Sequence, residues 1–156
     1  MNRKTTIYAI YTTEEKNVKD NLLRQLKSLK VFDDAVIWHD DAIDFGKQWK
    51  PSDESRLANT DIFLLFVSNA FMYSEFIKQL EFKTVIDRYK AGKSKVIPII
   101  LDDCPWDIDF EADEYTFSFK ELMILPEEGK PLNSWDSTEQ GLTKSAVYIK
   151  NSITFL

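Results

Sequence analysis

A single cysteine, Cys104, excludes an internal disulfide and fits a reducing compartment. One histidine, His39, beside that one cysteine does not make a tetrahedral zinc site, so no metal is expected. No apolar run approaches the roughly 20 residues a spanning helix needs, so no membrane segment is expected. Met1–Thr6 is basic but has no long apolar core behind it, which is not the pattern of a signal peptide. A cytoplasmic protein is the expectation. Cations are outnumbered, 20 Lys and Arg against 26 Asp and Glu, and the net charge of −6 argues against a nucleic-acid partner. No GxGxxG follows a strand, and there is no GxxxxGK[ST] and no GxSxG, so a dinucleotide cradle, a P-loop and a nucleophile elbow are all unsupported. There is no internal repeat, low-complexity tract or linker.

What is present is a core. Hydrophobic residues are 44% and aromatics 13% of 156 residues, enough for one folded domain and too many for disorder. Residues 5–11 (TTIYAIY) form an apolar and aromatic segment of strand length, broken by Thr12-Thr13. Val18, Leu22, Leu26 and Leu29 then recur at helical spacing over 14–30, with Thr13 as candidate N-cap and glutamates in the first turn. A second strand, 35–38 (AVIW), leads into a polar loop, 39–50, with Gly46 as its permissive point. A short helix over 51–59, a strand over 61–67 and a helix over 72–90 follow, the last closed by Gly92. Residues 96–101 (VIPIIL) are a fourth strand whose Pro98 marks a bulge or a point where the ladder is already broken. Residues 102–120 read mostly as loop, 121–125 as a short fifth strand ended by Pro126, and 136–153 as the last helix. Strands alternating with helices predict an α/β domain: a central parallel five-stranded sheet with helices on both faces.

Ligands of such sheets bind outside the carboxyl ends of the strands, near the switch point. The loops after strands one and two and the segment 68–81 (SNAFMYSEFIKQLE) converge there. At about 100° per residue, Glu81 lies about 40° from both Ile77 and Val85, on the edge of an apolar stripe. Spacing alone leaves two readings open: a site carboxylate, or a solvated glutamate beside Lys78. A phospho-receiver domain shares the architecture but needs acidic residues where this chain has Thr12-Thr13 and Ser68-Asn69.

Five segments, in order, carry a resemblance. Ile7–Glu15 (IYAIYTTEE), Val36–Asp40 (VIWHD) with Gly46 and Trp49, Ala58–Glu81, Lys95–Trp106 (KVIPIILDDCPW) and Leu125–Ser137 (LPEEGKPLNSWDS) together resemble a bacterial TIR (Toll/interleukin-1 receptor) domain. The match runs from about Thr5 to Ile153, with Ala9 where the family usually has serine. The resemblance implies a three-layer, flavodoxin-like fold occupying 1–156 as a single domain. It implies an NAD+ glycohydrolase that releases nicotinamide and ADP-ribose or its cyclised form, in bacterial antiviral defence. NAD+ is then substrate, and no cofactor is expected. The family's catalytic glutamate falls on Glu81; Tyr11, Thr12, Asp40, Trp49 and Ser74 match pocket positions, and Phe45 or Trp49 would stack on a flat ring of the substrate. Trp49 as a core residue is the other reading; Trp38, Trp106 and Trp135 read as structural, and His39 as a loop residue.

The resemblance further implies activation by self-association, with the BB loop (39–50) of one copy completing the pocket of the next, head to tail and open to filament growth. A sensor domain for a cyclic nucleotide, such as STING or SAVED, is expected in a longer chain of which this is the N-terminal effector. Two other classes share the fold: a non-enzymatic TIR–TIR adaptor, which often lacks the glutamate, and a deoxyribosyltransferase-like enzyme.

Overall fold

The run Ile62–Val67 is apolar at every position, so it has no polar face to offer water and must be covered on both sides. In the computed structural model, all six of these residues have 0% exposure. Residues 4–39, 51–74, 80–112, 115–127 and 130–154 are described, with the backbone alone at 51–54, 80, 81, 112, 115 and 154. The elements are β1 (Thr5–Ile10), α1 (Lys16–Ser28), β2 (Ala35–Trp38), α2 (Pro51–Ala58), β3 (Ile62–Val67), α3 (Asn69–Met72), α4 (Leu80–Lys90), β4 (Lys95–Ile100), β5 (Asp109–Ala112), β6 (Tyr115–Ser118) and α5 (Thr138–Thr154). Strands β2, β1, β3 and β4 lie in that order, all parallel. The chain steps from β1 outward to β2 and returns to β3 on the other side of β1. The switch point therefore lies between β1 and β3.

Alternate residues of each strand feed two cores. Ile7, Ala9, Leu64, Phe66 and Ile99 pack with Leu22 and Leu26 of α1 and Leu142, Ala146 and Ile149 of α5. Tyr8, Ile10, Phe63, Leu65 and Val67 pack with Leu57 of α2 and Phe82, Val85 and Ile86 of α4. Each such burial contributes roughly 1.5–3 kcal/mol of transfer free energy. The result is three layers, as the alternation of strands and helices implies.

The sheet has four strands among the described residues, not five. The expected fifth is reduced to one parallel bridge, Ile99 to Leu125. Leu125 donates to Pro98 O (2.9 Å) and accepts from Ile100 N (2.8 Å). A 3-10 turn at Phe119–Glu121 and Pro126, which has no N–H, bracket it and leave no room for a longer ladder. Lys95 N bonds Asp61 O and Leu101 N bonds Val67 O, both toward β3, so the even-numbered residues of β4 face outward. Pro98 therefore lacks its N–H on the side away from β3, which is why a proline is tolerated inside this strand.

Two further differences have local causes. Residues 109–112 and 115–118, expected as loop, pair antiparallel as β5 and β6. Their Phe110 and Phe117, with Phe119, surround Phe82 and Tyr89 of α4 by edge-to-face contacts. The expected helix over 72–90 begins earlier and does not run through: α3 stops at Met72, where Ser74 Oγ donates to Phe71 O. Helix α1 follows a 3-10 turn over Thr13–Glu15, whose N-cap is Thr12 rather than Thr13. Gly92 takes φ +73° past the end of α4, as expected of a glycine there.

Helix α1 ends differently. Lys30, an exposed side chain, sits at φ 62°, ψ 28° in the left-handed region. Glycine relieves that strain but loses more unfolded-state entropy, for a net gain of about 0.5–1 kcal/mol. Lys30→Gly is expected to raise the urea midpoint accordingly; an unchanged or lower midpoint counts against strain at this turn.

Candidate functional site at the carboxyl edge of the sheet

Where strands end, the chain regains polar residues, and four strand-end loops meet around the β1/β3 switch point. Tyr11 leaves β1 with its ring in the α1-side core, 2% exposed. Its ring meets Phe66 edge to face at 6.4 Å. Its hydroxyl donates to His39 O at 2.7 Å, so it ties the loop after β2 to the end of β1. The Lys19 ammonium lies 4.7 Å from the Tyr11 ring centroid and 3.4 Å from His39 Nδ1. Lys19 is 4% exposed and pairs with Asp20 at 2.7 Å, which holds the Asp20 carboxyl below the usual carboxylate range.

Thr12 follows, 6% exposed, and its hydroxyl is buried with no hydrogen-bond partner among the described residues. Such a group is uncommon in a folded interior. Three residues on, Glu15 is half-buried. Burial pushes the Glu15 carboxyl above its ordinary range, the nearby Ser68 hydroxyl opposes this, and Asp102 and Glu14 add repulsion. Ser68 has 0% exposure, and its Oγ accepts from Phe71 N (3.1 Å), capping α3. Asn69 N donates to Asp102 Oδ1 (3.1 Å), and Asn69 Nδ2 to Asp103 O (2.9 Å). Beside them the Cys104 thiol is pushed up to about 12 by burial and by Asp102.

Of the residues expected at the site, Tyr11, Thr12 and Ser74 lie on these loops. The Ser74 hydroxyl is committed to Phe71 O at 2.7 Å. Glu81 is the second residue of α4, described by its backbone. The next residue, Phe82, is 3% exposed and wedged between Phe110 (5.1 Å) and Phe119 (6.2 Å), which anchors the helix turn that carries Glu81. Asp40, Phe45 and Trp49 lie outside the described residues. Trp38 packs edge to face on Tyr8 at 6.0 Å, with Arg56 over its other side at 5.4 Å. Trp106 joins the α4-side core, and Trp135 sits under Lys130 at 4.4 Å. Glu15, Ser68, Asn69 and Asp102 were not singled out from the sequence, although Thr12-x-x-Glu15 has the spacing of a capping box.

A doubly wound parallel sheet with a switch point defines a broad class of ligand-binding α/β domains. Within it, the TIR domain family model matches residues 7–125, and the chain belongs to that family. It is also 26% identical over 147 residues to the uncharacterized protein y4lF of Sinorhizobium fredii (strain NBRC 101917 / NGR234). That match covers 94% of this chain and 43% of the relative, so the chain spans less than half the length of that protein.

Two outcomes follow from the rim's electrostatics. With its thiol at about 12, Cys104 holds roughly one thiolate in ten thousand at pH 8. A maleimide is expected to label it slowly in the folded chain and rapidly in urea; equal rates count against the buried, anion-flanked thiol. Glu15, raised in the folded state, contributes stability below its unfolded value, and that contribution is lost as pH rises through its folded one. Glu15→Gln is uncharged throughout. Its Tm is therefore expected to match wild type in acid, below the model-peptide value of 4.5, and to exceed it increasingly toward pH 7. A difference that is flat with pH would show that burial does not raise this carboxyl.

Proposed function

We propose that this TIR domain cleaves NAD+ between nicotinamide and ribose, with Glu81 as its catalytic carboxylate. The observation that carries the reading is the setting of residue 81 in a TIR fold. Its backbone is held by the buried Phe82, one turn before the buried Val85, at the start of α4. A carboxylate acts electrostatically only where its position is fixed before the reaction and water is scarce. The Thr12 hydroxyl, without a partner among the described residues, supplies a second support, since a ligand hydroxyl or amide would satisfy it.

The chemistry asks little else of the protein. The C1′–N bond breaks and its electron pair neutralises the pyridinium, so nicotinamide leaves without a general acid. Positive charge passes to the ribose as an oxocarbenium-like ring, as in other glycoside cleavage. Glu81 accepts hydrogen bonds from the ribose hydroxyls and stabilises that charge. Water then adds at C1′ and loses a proton, giving ADP-ribose; attack by the substrate's own adenine gives the cyclic product instead. Tyr11, Asp40, Phe45, Trp49 and Ser74 belong to the same proposed pocket, Tyr11 by holding its wall and Ser74 by closing the turn at the end of α3.

Self-association is part of the proposal. Val96 turns its backbone outward on the β4 edge, where Leu125 makes the one bridge among the described residues. An open groove of about 480 Å³ runs there between Lys95, Val96, Met123 and Tyr148, and Met123 is 53% exposed. Such an edge beside an exposed apolar side chain suits a segment of a second copy. The 39–50 loop is the segment proposed. A longer chain with a cyclic-nucleotide sensor, acting in antiviral defence, is the wider setting proposed.

Nicotinamide release from NAD+ at high protein concentration, wild type against Glu81→Ala, tests the reading. Turnover by wild type and a loss of about a hundredfold or more in the variant are expected. An assembled wild type without turnover would leave an interaction module; a variant that still cleaves would move the carboxylate elsewhere.

A further inference from the structure

A buried cation stands where β1 and β2 end. Lys19 of α1 is 4% exposed, and its ammonium has three partners. They are the Asp20 carboxylate at 2.7 Å, the Tyr11 ring with its centroid at 4.7 Å, and His39 Nδ1 at 3.4 Å. An ammonium out of water is costly unless its protons are met, and three partners answer its three protons.

The third partner fixes a tautomer. An ammonium donates and never accepts, so His39 Nδ1 must offer its lone pair. The imidazole is then neutral, with its one proton on Nε2. The backbone of the same residue is held as well, because the Tyr11 hydroxyl donates to His39 O at 2.7 Å. The nitrogens of an imidazole point to opposite sides of the ring, so with Nδ1 on the buried ammonium the Nε2–H turns away from it. His39 is partly exposed, and Nε2 has no hydrogen-bond partner among the described residues.

A donor held this way suits an anion. The ammonium polarises the ring, which makes the Nε2–H a stronger donor than that of a free histidine. Asp20, which offsets the Lys19 charge, has a 40% exposed side chain and is partly screened by water. The end of β4, by contrast, carries Asp102 and Asp103, which repel an anion. His39 follows β2, the neighbour of β1 in the sheet, at a strand spacing of about 4.8 Å. A dinucleotide with its ribose at the switch point extends far enough to bring a phosphate there.

We propose that Lys19 is a positioning residue that holds His39 as its Nε2–H tautomer, and that this N–H binds a phosphate oxygen of NAD+ beyond the end of β2. The proposal rests on the reading of this edge as an NAD+ site. Neither residue takes part in bond cleavage: His39 binds substrate, and Lys19 acts through it.

His39 is the one histidine of the chain, so long-range proton–nitrogen NMR at mildly alkaline pH reads its tautomer without ambiguity. Wild type is expected to show Nε2–H, and Lys19→Met to release the ring to a mixture of both tautomers. ADP-ribose is expected to shift the Nε2 resonance of wild type. His39→Ala is expected to lower kcat/KM for NAD+, relative to that for the phosphate-free nicotinamide riboside, by about tenfold and through KM, the scale of a lost hydrogen bond to a charged group. His39→Gln, whose amide replaces the Nε2–H, is expected to recover that ratio to within about threefold. A wild-type ring protonated on Nδ1, or a tautomer that Lys19→Met leaves unchanged, overturns the hold by Lys19. A ratio unchanged in His39→Ala overturns the phosphate contact, as does an Nε2 resonance that ADP-ribose does not move. Should ADP-ribose move it while the assembled wild type leaves NAD+ uncleaved, the cleavage reading falls alone and the phosphate contact stands.

Discussion

Everything in this domain depends on β3 having no face for water. Six fully buried residues in one strand require a helix layer on each side, and only a parallel arrangement with crossover helices delivers both layers from a short chain. The same burial expels polar groups to the two ends of the strand. At one end stands Asp61, whose carboxylate accepts from Thr6 N (2.8 Å) and whose carbonyl accepts from Lys95 N (2.9 Å). At the other stands Ser68. Polar chemistry is thus confined to two rims by the hydrophobic demand of the middle.

Much of this was legible in the sequence because the signals were long or unambiguous. The β3 run, the spacing of Val18, Leu22, Leu26 and Leu29, and Gly92 after α4 each express one physical rule without competition. In sequence Pro98 reads as a bulge or a broken ladder, yet the β3–β4 register runs through it, Leu65 beside Pro98, because its missing N–H lies on the side away from β3. The β5–β6 pair escaped because its alternation, Phe110, Tyr115, Phe117, is short and interleaved with Asp109, Glu111, Asp113 and Glu114, which made it look like an acidic loop. The fifth strand was over-read for the opposite reason. Leu122 to Leu125 is apolar enough to be a strand, but only Leu125 completes both bonds to β4.

The site was legible in a different way. Glu81 and Thr12 came through the TIR resemblance, and spacing alone left Glu81 between a site residue and a solvated one. Glu15 could not have been found by local rules, because the local rule assigns it to a cap. In the fold that cap is not made, and the carboxyl is half-buried beside groups such as Asp102 that stand far later in the chain, which no pattern within four residues encodes. Asp40, Phe45 and Trp49, which lie outside the described residues, enter the site only through the resemblance.

The two rims differ in kind. At the amino edge, unlike groups meet: Arg88 donates to Thr60 O and to Ser94 Oγ, and Asp61 accepts from Thr6 N. At the carboxyl edge, like groups crowd: Glu15 is raised partly by Asp102 and Glu14, and Cys104 by Asp102. A rim of crowded carboxylates favours a cationic ring, which on the proposed reading is the pyridinium of NAD+. Attraction to the pyridinium alone would strengthen binding without speeding cleavage, because that charge disappears as the bond breaks. Rate comes only from a carboxylate placed where charge arrives, at the ribose. Hence the anchoring of α4 by Phe82 matters more than the number of acids. That anchoring decides whether the negative charge faces the leaving ring or the sugar that inherits its positive charge.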